Sequence, residues 1–545
     1  MNLNNVNFID LFCGCGGFSL GLKQAGLNEL GAIDFNPEAI KVFKANFPET
    51  KVVIQKDLTV FEPNEFEKLI GTNRIDIVVG GPPCQGFSTV RQRDGSNSGD
   101  RIIFDKRREL YQEFLKYVEY FKPKMFIMEN VLGIRSAAGG HFFNNVQSEG
   151  RTLGYRVHSE IIRAWEYGVP QKRERQLIIG TRLDLPLFNK QQFLPKTHSK
   201  LPEPSLKKIV TLGEAIDDLP ELDAGQGLES ITYDLGKRDE YFKKYSGNYL
   251  YEILEVNHAK RLTSHYARPH NPRDLRDFQR LREGETSAKA ISRGEKMEFP
   301  YDRATFKDRY TRQNSEGLCS TIVAHLSKDG LMFIHPRQNR SLTPRESARI
   351  QTFPDWFEFP VARTNQFKLI GNAVPPVIAK AVGKGIINWI ETFSINSNVD
   401  ATSINNFPIK NFDLVLTELS QKKNGDLSKI NTRDFVEIWY SISYFFFHLH
   451  PDSAYENGKL ICDQGDDNLK LLNNNFAKTN QPFFVRSGWP VSLVPFAQEA
   501  QKRLVNNTLS LDQYYCSTIR INGYHDFIRG KNDDNSEAGN NSRRK

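Results

Sequence analysis

The chain has 545 residues, with 73 Lys or Arg against 65 Asp or Glu and a formal net charge of +8. Hydrophobic residues make up 39% and charged residues 25%, which excludes collagen-like, coiled-coil and wholly disordered classes and leaves length for several domains. Six cysteines are too few for a disulfide framework, so free thiols in a reducing compartment are expected, and the positive balance favours a polyanionic partner. No cationic stretch leads into a long apolar run near Met1, and the most apolar stretch, Ile438 to Phe447, is too short to span a bilayer. Neither a signal peptide nor a membrane partner is expected.

The first elements alternate. Asn7 to Phe12 reads as a buried strand, and Cys13-Gly-Cys-Gly-Gly17 follows at once as a tight turn. Phe18, Leu20, Leu22 and Ala25 then recur at helical spacing until Gly26. Leu30 to Phe35 is a second strand ending in an acid, and Asn36-Pro37 opens a helix with Ala39, Ile40, Phe43 and Phe47 on its apolar side. Val52 to Ile54, Ile75 to Val79 and Met125 to Val131 are further strands. Strands alternating with helices imply an α/β protein with a parallel sheet, and ligands of such sheets bind beyond the carboxyl strand ends. Those ends carry CGCGG, Asp34, Asp57, Gly80 to Ser88 and Glu129.

The glycine turn lets backbone approach a ligand, and Asp34, 20 residues after Gly14, suits a ribose diol. The spacing from Gly14 to Gly16 differs from GxGxxG, so a smaller nucleoside ligand is favoured over a dinucleotide. Cys13 and Cys15 have no second Cys or His pair at metal-ligand spacing and read as small residues in a crowded turn. In Gly80-Gly-Pro-Pro-Cys84-Gln-Gly-Phe-Ser88 two prolines make a rigid loop that presents Cys84 at the ligand edge, a candidate nucleophile if a cation lowers its pKa. Arg173 and Arg175, in Gln171-Lys-Arg-Glu-Arg175 ahead of the strand-like QLIIG, are placed to do this on an extended chain.

In order along residues 8 to about 385 stand FIDLFCGCGGFSLGL, GGPPCQGFS, MENV, GVPQKRER and QFKLIGNAVPP. Together they resemble the DNA (cytosine-5)-methyltransferases that use S-adenosyl-L-methionine. The resemblance implies a Rossmann-like methyltransferase domain, a smaller target-recognition domain and, here, a C-terminal extension. It implies that Phe12, Cys13, Gly14, Gly16 and Gly17 form the methionine-side turn, that Asp34 takes the ribose hydroxyls with Phe35 against the adenine, that Asp57 holds the adenine amino group, and that Pro83 and Asn372 complete the cofactor site. It makes Cys84 the nucleophile, Glu129 its acid partner, and Arg173 and Arg175 the supporting cations, with no metal.

That chemistry has a physical logic. Carbon 5 of cytosine is a poor nucleophile until a thiolate adds at carbon 6; the charge this pushes onto the ring is relieved by a proton donor at N3, for which Glu129 would have to be protonated in a dry pocket, and by an arginine near the C2 carbonyl. The base must be flipped from the stack to be reached. Thr89 to Asp105, polar and basic, is expected to be a mobile loop closing over it.

The expected domains are 1–185, catalytic and cofactor-binding; 186–340, target recognition; 341–394, a supporting segment returning to the first; 395–530, an extension without an assigned role; and 531–545, a disordered tail. Lys260 to Arg312 holds 14 Lys or Arg against 8 Asp or Glu, with Tyr266, Phe278, Tyr301, Phe306 and Tyr310 interleaved, and reads as DNA contact rather than a solvated helical face. His258, His265 and His270 have no cysteine nearby and read as polar DNA-facing or structural residues, and His448 and His450 as structural; Asp434 to His448 reads as a packed helix. RSLTPRESARIQTFPDW, Arg340 to Trp356, reads as structural. The function expected is methylation of double-stranded DNA at a short site, in a cytoplasmic protein bound to the nucleoid through its DNA, acting as a monomer and paired with a cognate restriction endonuclease. A tRNA cytosine-5 methyltransferase, for which the 160-residue basic insert is too long, and an orphan DNA methylase are the alternatives. A non-catalytic DNA-binding scaffold would be expected to lose Cys84 or Glu129, and amino-methylating enzymes carry an Asp/Asn-Pro-Pro-aromatic motif instead.

Overall fold

The computed structural model describes residues 6–83, 110–182, 185, 193–300, 310–328 and 330–396, with 499, 502, 503 and 506. Cys84, the 89–105 loop, the 434–448 segment, His448, His450 and the tail lie outside the described residues.

The expected alternation is present. β1 (Asn7–Leu11) leads into α1 (Gly17–Gln24), β2 (Asn28–Asp34), α2 (Pro37–Asn46), β3 (Val52–Gln55), α3 (Pro63–Ile70), β4 (Ile77–Gly80), α4 (Leu110–Phe121), β5 (Met125–Asn130), α5 (His141–Thr152), β6 (Tyr155–Arg163) and β7 (Glu174–Arg182). Asn36 caps α2 by accepting the Glu38 N–H at 2.9 Å, with Pro37 at the first helical position. The seven strands form one sheet in the order β3-β2-β1-β4-β5-β7-β6, and β1 pairs parallel with β2 and β4, as do β2 with β3 and β4 with β5. The order reverses between β1 and β4, the point where open α/β sheets hold ligands. Register fixes what meets there: Leu11 lies opposite Ile33 and Gly80, and Gly80 opposite Met128. Phe12, Asp34, Gly81 and Glu129, each one residue further on, therefore line one edge.

By contacts the chain divides into two compact units. One comprises Met1–Val146, Glu160–Ile178 and Leu187–Ser394; the other Gln147–Ser159, Ile179–Pro186 and Ile395–Lys545. In the second, Arg156 donates to the carbonyls of Leu185 (2.7 Å) and Arg182 (3.4 Å). In the first, an apolar cluster runs from Cys13, Phe43 and Phe47 through Phe353, Phe357 and Ile370 to Leu212, Tyr249 and Leu262. A separate cluster under the 272–280 helix contains Phe278, Leu281, Met297, Phe299, Tyr310 and Ile334.

Arg340 to Trp356 is structural, as expected, in a way its composition hides. The helix Pro344–Ile350 starts with a capping box between Thr343 and Glu346 and is buried on every side. Arg340 binds Glu346 through two bonds (2.9 and 2.7 Å), Arg349 binds Asp355 through two (2.8 and 2.6 Å), and Arg349 also meets Asp218. Such charges are tolerated in a core only because each is paired. His265 is structural too, bridging Thr343 Oγ1 (3.1 Å) and the Pro220 carbonyl (2.9 Å). Among the described residues no helix is long and apolar enough to cross a membrane, and no three His, Cys, Asp or Glu side chains group as a metal site.

Candidate active site

The turn after β1 is held in an unusual shape. Phe12 has φ +58°, a left-handed value rare for a bulky residue, and Gly14 and Gly16 follow at +56° and +90°. Asp34, at the end of β2, fixes the turn: Oδ2 accepts the Gly14 N–H at 2.8 Å while Oδ1 accepts the Asn36 N–H at 2.7 Å. Burial pushes the Asp34 pKa up, against the pull of the N–H groups of Asn36, Gly14 and Phe35. The glycines differ. A Cβ on Gly14 would meet nothing within 4 Å, so this backbone faces an open cradle. A Cβ on Gly17 would stand 2.3 Å from the Val374 carbonyl oxygen, and one on Gly16 2.4 Å from the Phe47 ring, so these two are small because protein lies against them. Burial drives the Cys13 thiol up and the Cys15 thiol to about 12, keeping both protonated and inert.

Around the cradle, Phe35 presents its ring to solvent at 69% exposure, the conspicuous apolar surface at this edge. Asp57 follows β3 and ties its own turn, accepting the Thr59 N–H (3.0 Å) and hydroxyl (2.8 Å) on Oδ1. Asn372 is exposed at the end of the helix Arg363–Asn372, and the backbone on both sides of it is clamped. Arg173 donates to the carbonyls of Gly371 (3.2 Å), Ala373 (2.9 Å) and Ile322 (3.0 Å), and Gln351 to those of Ile370 (2.6 Å) and Ala373 (3.1 Å). Gln171 links the two sides, giving a hydrogen bond to Gln351 Oε1 (2.6 Å) and accepting the Ile322 N–H (3.0 Å).

The structure thus separates the two arginines. Arg173 is 1% exposed and bonded to main-chain carbonyls. Arg175 reaches Glu129: its Nε lies 3.0 Å from Oε1, an ion pair too oblique for a hydrogen bond. The other Glu129 oxygen lies beside Gly81, where a Cβ would stand 3.4 Å from Oε2. The neighbouring Asn130 donates to the Pro82 carbonyl at 3.4 Å, tying β5 to the loop that runs through Pro83 toward Cys84. Sequence reasoning passed over Asn130 and Gln351, and read Gln171 only as sharing a face with Arg173 and Arg175. Their signal was a polar side chain flanked by core residues, as in the run RIQTF.

These features define a class: a doubly wound α/β protein with a glycine cradle and an acid–arginine pair at the switch point of its sheet. The chain belongs to the C-5 cytosine-specific DNA methylases, whose family model matches residues 6–388. It is 34% identical over 421 residues to the type II methyltransferase M.DdeI of Desulfomicrobium norvegicum, covering 72% of this chain and 92% of that protein. To the type II methyltransferase M.AgeI of Thalassovita gelatinovora it is 32% identical over 441 residues, covering 69% and 98%. Among solved structures, a prophage-encoded E. coli protein assigned as a DNA modification methyltransferase superposes with a TM-score of 0.55 at 28% identity, over 71% of this chain and 99% of that one. The expectations of a mixed α/β fold and of a DNA cytosine-5 methyltransferase are met. Members of the family act on DNA with S-adenosylmethionine as methyl donor.

Proposed function

We infer that the chain methylates carbon 5 of a flipped cytosine within a short site in double-stranded DNA, through a covalent adduct on Cys84. The observation that carries this reading is the Glu129–Arg175 pair, 3.0 Å apart and set against Gly81 at the head of the Gly-Pro-Pro loop whose next residue is Cys84. Glu129 is the group for N3 of the cytosine, and Arg175, beside it, for the oxygen at C2 as charge develops there. The Cys84 thiolate adds at carbon 6; after transfer to carbon 5 the proton on that carbon is lost and the thiolate leaves.

Bound S-adenosylmethionine supplies an activated methyl group. The residues present fit it. The open face of Gly14 admits the methionine part, with Phe12, Cys13, Gly16 and Gly17 shaping the turn. Asp34 stands at the ribose, Phe35 offers its exposed ring to the adenine and Asp57 its other carboxylate oxygen, Oδ2, to the adenine amino group. Pro83 and Asn372 border the site. Arg173 is a positioning residue that fixes the backbone around Asn372.

The same reading makes residues 186–340 the target-recognition domain and 341–394 the return to the catalytic domain. It describes a cytoplasmic, DNA-bound monomer whose methylation shields host DNA from a cognate endonuclease; M.DdeI and M.AgeI carry the name of type II methyltransferases. The test is a duplex carrying 5-fluorocytosine at the target position. The native protein with methyl donor is expected to form an adduct stable to denaturation, mapped to Cys84, and Cys84→Ala to form none while still binding donor. An adduct on another side chain, or label entering tRNA and not duplex DNA, would overturn the reading.

A further inference from the structure

Lys260 to Arg312 is net basic in sequence, yet most of its described arginines are already committed. Arg276 grips Glu298 through Nε and Nη2, Arg280 divides itself between Asp277 (2.8 Å) and Glu298 (2.8 Å), and Arg293 between Glu285 (2.8 Å) and Glu295 (2.8 Å). Arg268 and Arg312 are spent on backbone carbonyls. Arg276, Arg280 and Arg293, together with Gln279, Arg282 and Glu295, line an open cavity of about 380 Å³. Arg282 is exposed, and its guanidinium has no hydrogen-bond or ion-pair partner among the described residues.

Charge decides what such a cavity can hold. The four arginines face four carboxylates (Asp277, Glu285, Glu295 and Glu298), so the cluster carries no excess charge and is poorly suited to gripping a phosphate, which rewards net positive charge. What it offers is direction: guanidinium forks held by carboxylates, with one fork, Arg282, unspent beside the amide of Gln279. An array of fixed N–H donors complements a paired acceptor edge, and of the base edges in the major groove guanine presents two acceptors, O6 and N7.

We propose that the cavity lined by residues 276–295 is a base-reading site and that Arg282 is its guanine-specific donor, a specificity-determining residue for the target sequence. The proposal rests on the DNA methyltransferase reading above and deepens it. Arg282 donates both ends of its fork to O6 and N7, with Gln279 at the neighbouring base. The surrounding ion pairs hold the rim rigid.

The experiment compares native protein with Arg282→Ala and Arg282→Lys, scoring every methylated cytosine in host DNA by bisulfite sequencing and measuring rates on duplexes varied one base pair at a time. The native map gives the target and its guanines, and a native protein that leaves DNA unmethylated fails the parent reading, independently of Arg282. Arg282→Ala is expected to lose discrimination at one G·C pair, by about 10- to 100-fold in relative rate, with methyl-donor affinity unchanged. Arg282→Lys, which can still donate to O6 and N7 but without the planar fork, is expected to fall between native and Arg282→Ala at that same pair. Equal loss on all sequences with a shallower salt slope, or an unchanged methylation map in Arg282→Ala, would each overturn the assignment.

Discussion

At the scale of single residues, the glycines of the first turn show why one motif need not mean one role. Gly14 faces empty space, and Gly17 lies where a methyl group would sit 2.3 Å from the Val374 oxygen. Alanine at 17 would force the GNAVPP turn away from α1, and overpacking of this kind costs about 1–3 kcal/mol. Alanine at 14 collides with nothing. Its methyl group, at φ +56°, would protrude into the cradle and add backbone strain of about 1 kcal/mol. Gly14→Ala is therefore expected to weaken methyl-donor binding at least about 10-fold, a loss of roughly 1.4 kcal/mol, with little change in melting temperature. Gly17→Ala is expected to lower the melting temperature clearly. Equilibrium dialysis against labelled donor and a thermal melt separate the two, and the reverse pattern would mean that the open face of Gly14 is not where the donor lies. The motif itself was legible in sequence; the division of labour was not, because Phe47 and Val374 reach the turn from elsewhere in the chain.

Between elements, the decisive connection is the tie from β7's entry to the backbone around Asn372. Sequence placed Gln171, Arg173 and Arg175 on one extended face. The strand begins only at Glu174, and the three side chains go to different places: Gln171 and Arg173 into the clamp, Arg175 to Glu129. Periodicity reports a face, not the partner waiting there. For the same reason β1 to β5 could be read from short apolar runs, while Arg349's carboxylate Asp218, 131 residues away, could not. α4 is different. Tyr111, Phe114, Leu115, Tyr117, Val118 and Phe121 are buried at helical spacing, so this helix was legible and was passed over. Gln351→Met tests the tie. It removes one donor each from the carbonyls of Ile370, which keeps the Ala373 N–H (3.3 Å), and Ala373, which keeps Arg173 (2.9 Å), and a lost hydrogen bond of this kind costs about 0.5–1.5 kcal/mol. Besides a lower melting temperature, the expected result is a several-fold rise in KM for the methyl donor with KM for DNA unchanged. A stability loss with both KM values intact would limit Gln351 to the core.

Across the described residues, several charged side chains and imidazoles are interior, and this ties stability to pH. Burial lowers the pKa of His265 from 6.5 to about 4 and holds that of His335 well below its ordinary value, so both are neutral in the fold and protonate more readily when it opens. The sign follows: between these values the unfolded chain binds more protons, so stability is complete above pH 6.5 and is lost as pH falls. At 1.36 kcal/mol per unit, His265 alone withdraws about 3 kcal/mol by pH 4. The paired carboxylates act lower on the scale. Burial opposes ionisation of Glu346 and Asp355, but Arg340 and Arg349 outweigh it and hold both below their usual values, so their contribution is lost only as pH falls below about 4.5. Acid unfolding should accordingly come in two stages, a histidine stage starting near pH 6.5 and a steeper carboxylate stage beneath it. Urea midpoints measured from pH 7.5 to 4 are expected to fall, the fall moderated where Asp34, raised by burial, takes up its proton in the fold, and His265→Gln, which can keep a bond to Thr343 or Pro220 but does not titrate, should reduce the first stage to the His335 part and leave the second in place. A native midpoint that stays level from pH 7.5 down to 5 would mean that these imidazoles are reached by water and that the interior charge network is more open than its geometry implies.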